Sequence, residues 1–175
     1  MPLSLYDAFV PNAQQQLGAL LNLIDKGEAH CRENDLDDRE LIEAKLAEDM
    51  WPLPWHVRSC WVQTGYTIRC FQQGEFTPDF SALPETWADM RAMTKDAIVE
   101  LDAVDPETLE GFADKTIGFV MNGKRLMEMT GQNFLLSFSQ PNLYFHATTF
   151  YDILRMKGVA IGKRDFLGRM RIIGQ

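Results

Sequence analysis

The sequence predicts a mainly α-helical fold, a four-helix bundle with a short β-hairpin before the last long helix. Four long stretches repeat apolar residues at the three- and four-residue spacing of one helix face. An Asn-Gly pair at 122–123 separates two strand-like stretches and is the strongest hairpin signal in the chain. Long connections at about 35–52 and 105–130 argue against the simplest up-down-up-down bundle.

The first two long helices have recognisable terminal signals. Ser4 and Asp7 have the spacing of a capping box, and the helix that they begin is expected to reach the mid-thirties. Pro11 is expected to lie early in this helix or to kink it. A short helix is expected around 39–46. Pro54 suits the first turn of the second long helix.

The third helix is expected to begin at a proline as well. Residues 72–83 are interpreted as a loop, and Pro84 is placed in the first turn of the helix that follows. Asp105 and Pro106 have the order of a cap followed by a first-turn proline. A short turn of helix is therefore expected there.

The hairpin and the fourth helix complete the bundle. The hairpin strands are expected at 116–121 and 124–129. Thr130 is expected to cap the fourth helix, and Pro141 inside its apolar pattern predicts a kink. No internal repeat or boundary divides the chain, so residues 1–175 are expected to form one domain.

The charge of the chain restricts its partners. The 175 residues include 17 basic and 25 acidic side chains, which give a net charge of −8. An acidic chain lacks the electrostatic footprint of a nucleic-acid-binding protein and has no attraction to an anionic membrane surface. We therefore expect neither partner. Basic residues near the C-terminus are interpreted as part of a solvated, irregular tail over 159–175: Lys163, Arg164, Arg169 and Arg171.

A cytoplasmic location is expected. The N-terminus lacks the basic segment and apolar core of a signal peptide. No apolar run approaches the roughly 18–20 residues of a membrane span. The three cysteines lack metal-site spacing, which fits reduced thiols better than a disulfide framework.

The candidate chemistry centres on two pairs of side chains. His56 and Cys60 lie four residues apart near the start of the second helix, and Asn142 and His146 have the same spacing on the inward face of the fourth. If these helices face one another, the pairs converge, and imidazole nitrogen with thiolate sulfur suits zinc or a similar divalent ion. The alternative is structural. In this alternative His146 is a hydrogen-bonded core residue and Cys60 is a small core residue. Asn142 then supports the backbone beside Pro141.

Five stretches carry a resemblance to a known family: residues 3–7, 46–50, 130–135, 141–149 and 158–168. The most specific are Pro-Asn-Leu-Tyr-Phe-His, which begins at Pro141, and Gly-Lys-Arg-Asp-Phe-Leu-Gly, which ends at Gly168. Over about residues 3–168 the chain resembles an uncharacterised bacterial family, a domain of unknown function. That family belongs to the DinB/YfiT-like superfamily of metalloenzymes.

The resemblance implies a DinB-like four-helix bundle, often a homodimer, with a divalent metal held by three histidines. The metal is often zinc or nickel. One histidine comes from the second helix and two, one turn apart, come from the fourth. His146 matches a fourth-helix ligand position, Asn142 stands where its histidine partner is expected, and His56 falls near the second-helix position.

Two functions follow from the incomplete ligand set. One is a divalent-metal-dependent enzyme, of the thiol-dependent transferase or hydrolase type, with a degenerate metal site formed by His56, His146, Asn142 and Cys60. The other is a metal-free bundle that binds a small molecule or a protein partner without catalysis. Nine methionines, which suit adaptable contacts, favour the second.

Overall fold

The computed structural model describes residues 3–173. Residues 1–2, at the start of the expected domain, and residues 174–175, at the end of the expected tail, lie outside the described residues. In chain order the helices are α1 (Leu5–Glu33), α2 (Arg39–Ile42), α3 (Leu53–Trp61), α4 (Thr67–Phe71), α5 (Trp87–Asp102), α6 (Pro106–Glu110), α7 (Gly131–Asn133), α8 (Gln140–Met156) and α9 (Lys163–Leu167). The strands are β1 (Glu75–Phe76), β2 (Thr116–Met121) and β3 (Lys124–Thr130). The π-helical segments Val62–Tyr66 and Phe134–Ser139 join α3 to α4 and α7 to α8.

Four long helical stretches form the bundle, so the predicted mainly helical fold is confirmed. Helices α1 and α3 each pack against both α5 and α8. The largest fully buried side chains, which lie in the core of the bundle, include Trp87, Phe9, Phe71, Phe134 and Phe150. None of the helices within residues 3–173 combines the length and the apolar character needed to cross a membrane.

The first two long helices begin where the sequence predicts. The Ser4 side chain accepts a hydrogen bond from the backbone N–H of Asp7 at 3.0 Å and caps α1. Pro54 lies in the first turn of α3. The second helical stretch then continues through the π-helical segment to Phe71. The short helix expected around 39–46 is α2, which ends earlier, at Ile42.

The expected start of the third helix is wrong. Pro84 precedes α5, which begins at Trp87. Thr86 caps the helix, because its side chain accepts a hydrogen bond from the Asp89 N–H and the Asp89 carboxylate accepts one from the Thr86 N–H. A reciprocal cap satisfies two backbone donors, whereas a first-turn proline merely tolerates a helix start.

The predicted hairpin is confirmed, and a further strand joins it. Asn122 and Gly123 both have positive φ, 51° and 72°, as the tight turn requires. Strand β1 pairs in parallel with β2, and Phe76 lies opposite Phe119. The interpretation of the whole segment 72–83 as a loop is therefore wrong for Glu75–Phe76. A two-residue strand is too short to leave a periodic signal in the sequence.

The C-terminal segment also differs from the expected irregular tail. It contains α9, whose start is capped by the Asp165 carboxylate accepting a hydrogen bond from the Gly162 N–H at 2.8 Å. Helix α9 packs against α1, and the Phe166 ring contacts Tyr151 of α8. At the other end of α8, Pro141 lies in the first turn, directly after the second π-helical segment. The proline therefore lies where the helix changes from π to α type, and the expected kink stays a prediction.

Candidate functional site: a histidine pair between α3 and α8

The structure brings two of the predicted site residues into direct contact. His56 lies in the first half of α3 and His146 near the middle of α8, and these helices pack together. The two Nδ1 atoms are 3.0 Å apart. Only 2% of His56 and 8% of His146 is exposed. The metal-site hypothesis needs the two i, i+4 pairs to come together, and the helices do bring their histidines together.

The hydrogen-bond partners determine where the protons of this pair lie. Nε2 of His56 is 3.0 Å from the backbone carbonyl oxygen of Trp51, which can only accept. His56 Nε2 therefore carries the proton, and Nδ1 of the neutral ring is an acceptor. Nδ1 of His146 must then donate to it, which leaves the lone pair on Nε2 of His146.

Both rings are neutral at pH 7. Burial and, to a smaller extent, the neighbouring His56 together lower the pKa of His146 to about 4. Burial also lowers the pKa of His56, against the opposing effect of its hydrogen bond to the Trp51 carbonyl. The two hydrogen bonds require neutral rings, because Nδ1 of His56 can accept from His146 only when it carries no proton.

Nε2 of His146 is the one ring nitrogen of the pair without a partner within residues 3–173. His146 keeps only 8% of its surface exposed at this helix interface. Exposed aromatic rings lie beside it. Trp51 is nearly parallel to the imidazole at 6.4 Å between centroids, and Phe145 meets it edge-on at 5.2 Å. Trp51 is 49% and Phe145 56% exposed.

Three supporting residues were not predicted from the sequence. The carbonyl of Trp51 orients His56, and the Trp51 ring stacks on Trp55 at 4.3 Å. The buried guanidinium of Arg58 lies 4.2 Å from the centre of the Trp55 ring and donates to the Ser81 carbonyl at 2.7 Å. The available signal was the pair of tryptophans on either side of the Pro-Leu-Pro stretch, directly before His56.

The other two predicted site residues have partners of their own. The amide of Asn142 donates to the Phe138 carbonyl at 2.7 Å. The Cys60 thiol lies 3.9 Å from the Leu143 carbonyl, and burial strongly raises its pKa, so it remains protonated. Within residues 3–173 no group of three or more histidine, cysteine or acidic side chains is arranged to hold a metal ion.

The arrangement of the histidine pair is that of a hydrogen bond. The ring centroids are 5.3 Å apart and the Nδ1 atoms 3.0 Å, the relation expected when both nitrogens lie on the line between the ring centres. Two ligands of one ion would instead aim their lone pairs at a common third point. The donor set described here therefore does not fit a three-histidine metal centre. It fits an oriented imidazole that can accept one further hydrogen bond.

The chain is similar to known proteins over nearly its whole length. The family described as "Domain of unknown function (DUF1993)" matches residues 5–167. A crystal structure described as a DinB family member protein from Shewanella denitrificans is 28% identical, with a TM-score of 0.82, and the match covers 96% of this chain and 94% of that one. No curated protein is significantly similar in sequence. The expected DinB-like bundle is confirmed.

Proposed function

The chain belongs to the DUF1993 family, and we propose that it binds a small molecule at the histidine pair without a metal ion. The observation that carries the proposal is Nε2 of His146, a neutral nitrogen whose lone pair has no hydrogen-bond partner among the described residues. Trp51 and Phe145 supply apolar ring surface beside it. Such a site suits a planar, largely apolar ligand that carries one hydrogen-bond donor.

The low basicity of His146 favours binding over proton abstraction. A pKa of about 4 makes its imidazole a weak base at neutral pH, where an efficient general base has a pKa closer to the working pH. The same property keeps the ring neutral across the physiological range. The ligand group that meets this nitrogen is therefore a hydrogen-bond donor, such as a hydroxyl or an N–H group.

Phenol and toluene are suitable probes, because they differ by the one donor that the site would use. With ¹⁵N-labelled histidine, phenol should shift the His146 Nε2 resonance in a saturable manner, and toluene should bind more weakly. In a His146→Phe variant, which keeps an aromatic ring but removes the acceptor, phenol should lose its advantage over toluene. Equal binding of both probes by the unmodified chain, or binding of neither, contradicts the proposal.

The second candidate is the divalent-metal-dependent enzyme, with His56 and His146 as ligands and Asn142 or Cys60 as a third. Two observations favour it. The solved relative is described as a DinB family member, and a backbone carbonyl orients His56, as is common for metal-ligating histidines. The candidate requires the hydrogen bond between the histidines to open and the third ligand to leave its present partner.

Elemental analysis separates the two candidates. The untagged chain is measured as purified and after dialysis against zinc, nickel and manganese, alongside a His146→Ala variant. About one ion per chain, lost in the variant, would support the metal enzyme and overturn the metal-free proposal. Absence of metal from both samples is the result that we expect.

We also propose that the chain forms a homodimer in the cytoplasm. The DinB-like resemblance supports a dimer, and the outer strand β3 exposes Leu126 and Met127, which are 58% and 42% accessible. Exposed strand edges with apolar side chains readily pair with another chain. Sedimentation velocity of the untagged chain tests this, and a monomer at every concentration contradicts it.

A further inference from the structure

A groove of about 630 Å³ lies between α1 and the C-terminal segment, and it shares no lining residue with the histidine pair. One side is formed by α1, with Gly18 and Ala19 among its residues. The opposite side is lined by Arg164, Arg169 and Arg171. These three arginines belong to the basic cluster that the sequence suggested was a solvated tail.

The arginine side of the groove is anchored to α1 by a series of hydrogen bonds. Gln15 donates to the Leu167 carbonyl at 2.8 Å. Arg171 donates to the Pro11 carbonyl at 2.7 Å and to the Asn12 side-chain oxygen at 2.6 Å. These contacts join residues more than 150 positions apart in sequence. The groove is therefore a built feature of the fold.

The three arginines of the groove, Arg164, Arg169 and Arg171, lack a carboxylate partner among the residues that the structure describes. The groove's one acidic residue, Asp165, is paired with Lys26 at 2.7 Å and accepts a hydrogen bond from the Gly162 N–H. A surplus of guanidinium groups thus lines one groove of a chain whose net charge is −8.

The side facing these arginines is open. A Cβ atom added to Gly18 would meet no atom within 4 Å, so space remains between α1 and the guanidinium groups. Gln14 and Asn22 also line this space, but their amides already donate to Asp102 at 2.8 Å and to Asp165 at 3.3 Å. The donors left for a ligand are the guanidinium groups, which proteins direct at phosphate and carboxylate oxygens. The volume lies in the range of small-molecule sites.

We propose that this groove binds a small molecule that carries a phosphate or carboxylate group, held by Arg164 and Arg169. Arg171, already fixed by neutral oxygens, contributes its charge and shapes the groove. Nucleic acid is a poorer candidate, because the rest of the chain would repel its backbone.

Calorimetric titration of the full chain with pyrophosphate and with citrate, at low ionic strength, tests the proposal. At least one probe should bind with a stoichiometry of one per chain. The double variant Arg164→Gln/Arg169→Gln should bind it about tenfold more weakly or worse, since charge-assisted hydrogen bonds are lost. The matched control is Lys163→Gln/Lys157→Gln, which removes the same charge from nearby positions outside the groove. It should change affinity less than twofold.

Three results would overturn the proposal. One is the absence of binding by either probe, and another is an equal loss of affinity in the two double variants. The third is binding to phosphatidylglycerol vesicles, relative to phosphatidylcholine vesicles, without binding of the free anions; it would identify a membrane surface as the partner. Circular dichroism melting of each variant distinguishes a lost site from a lost fold. A double variant that unfolds is replaced by the single changes Arg164→Gln and Arg169→Gln.

Discussion

The Nδ1 atoms of His56 and His146 lie 3.0 Å apart, and the hydrogen bond between them continues to the backbone carbonyl of Trp51. This relay connects α8, α3 and the turn that precedes α3. It fixes both imidazole tautomers and leaves one acceptor, Nε2 of His146. Replacing a member of the relay should therefore affect both stability and the orientation of that acceptor.

Replacing His56 by glutamine should be tolerated better than replacing it by leucine. A glutamine carbonyl can accept from His146, and its amide can donate to the Trp51 carbonyl. Leucine leaves both groups without a partner, and each unsatisfied buried group costs about 1–3 kcal/mol. Urea denaturation measures the difference. Equal destabilisation by the two changes would show that the relay contributes nothing beyond packing.

Stability should fall as the pH decreases from about 6.5 to about 4. In the unfolded chain the histidines have ordinary pKa values of about 6.5 and bind protons in this window. In the folded chain they stay unprotonated, because burial lowers the pKa of both. The unfolded state then binds more protons, so the free energy of unfolding rises with pH. For His146 the expected slope is on the order of 1 kcal/mol per pH unit across this window, and His56 contributes in the same direction.

The control for this pH dependence is the double variant His56→Gln/His146→Gln. Its unfolding free energy, measured in urea between pH 7.5 and pH 5.5, should be flatter than that of the unmodified chain. Identical slopes would assign the effect to other groups. Titration of the exposed carboxylates is common to both proteins and does not affect the comparison.

The three cysteines should be unreactive in the folded chain. All are buried, and burial raises the pKa of each thiol, that of Cys31 to about 11. Because the thiolate is the reactive form, Ellman's reagent at pH 7.5 should label the native chain slowly and all three thiols rapidly in guanidinium chloride. Rapid labelling of Cys60 in the native state, located by mass spectrometry, would contradict its placement in the core.

Two glycines of α1 should respond to alanine in opposite directions. A Cβ at Gly27 would lie 2.7 Å from the buried Trp87 ring, and the expected cost of overpacking is about 1–3 kcal/mol. A Cβ at Gly18 would meet nothing within 4 Å, and alanine should stabilise the helix by about 0.5–1 kcal/mol. Thermal and urea unfolding of the two variants provide the comparison. A loss of stability at Gly18 would contradict the open space assigned to the groove.

The sequence predicted the elements whose signals are local. The Ser4 cap, the Asn122-Gly123 turn and the helical spacing of apolar residues all act within a few positions, so they could be recognised without tertiary information. The start of α5 was misplaced because Pro84 is compatible with a first turn, and the stronger Thr86 cap was overlooked. Strand β1 was missed because its pairing with β2 is the only reason that it is a strand.

The candidate site was predicted in part. Spacing placed His146 on the inward face of its helix and set His56 one turn from Cys60, because four positions make about one turn of helix. Spacing could not reveal that Asn142 and Cys60 have other partners, since Phe138 and Leu143 present their carbonyls only in the packed structure. It also gave no indication of the Trp51 carbonyl, because a backbone oxygen has no signature in the sequence.

The sequence by itself thus determined the helix bundle, the hairpin and the inward-facing position of His146, because periodicity and capping are properties of neighbouring residues. Tertiary structure decided which atoms meet. It set the protonation of the histidine pair through the Trp51 carbonyl and the surrounding burial. It also turned a basic C-terminal segment into one side of a groove, by anchoring Arg171 on α1. Both outcomes depend on contacts between residues distant in sequence, which no local pattern encodes.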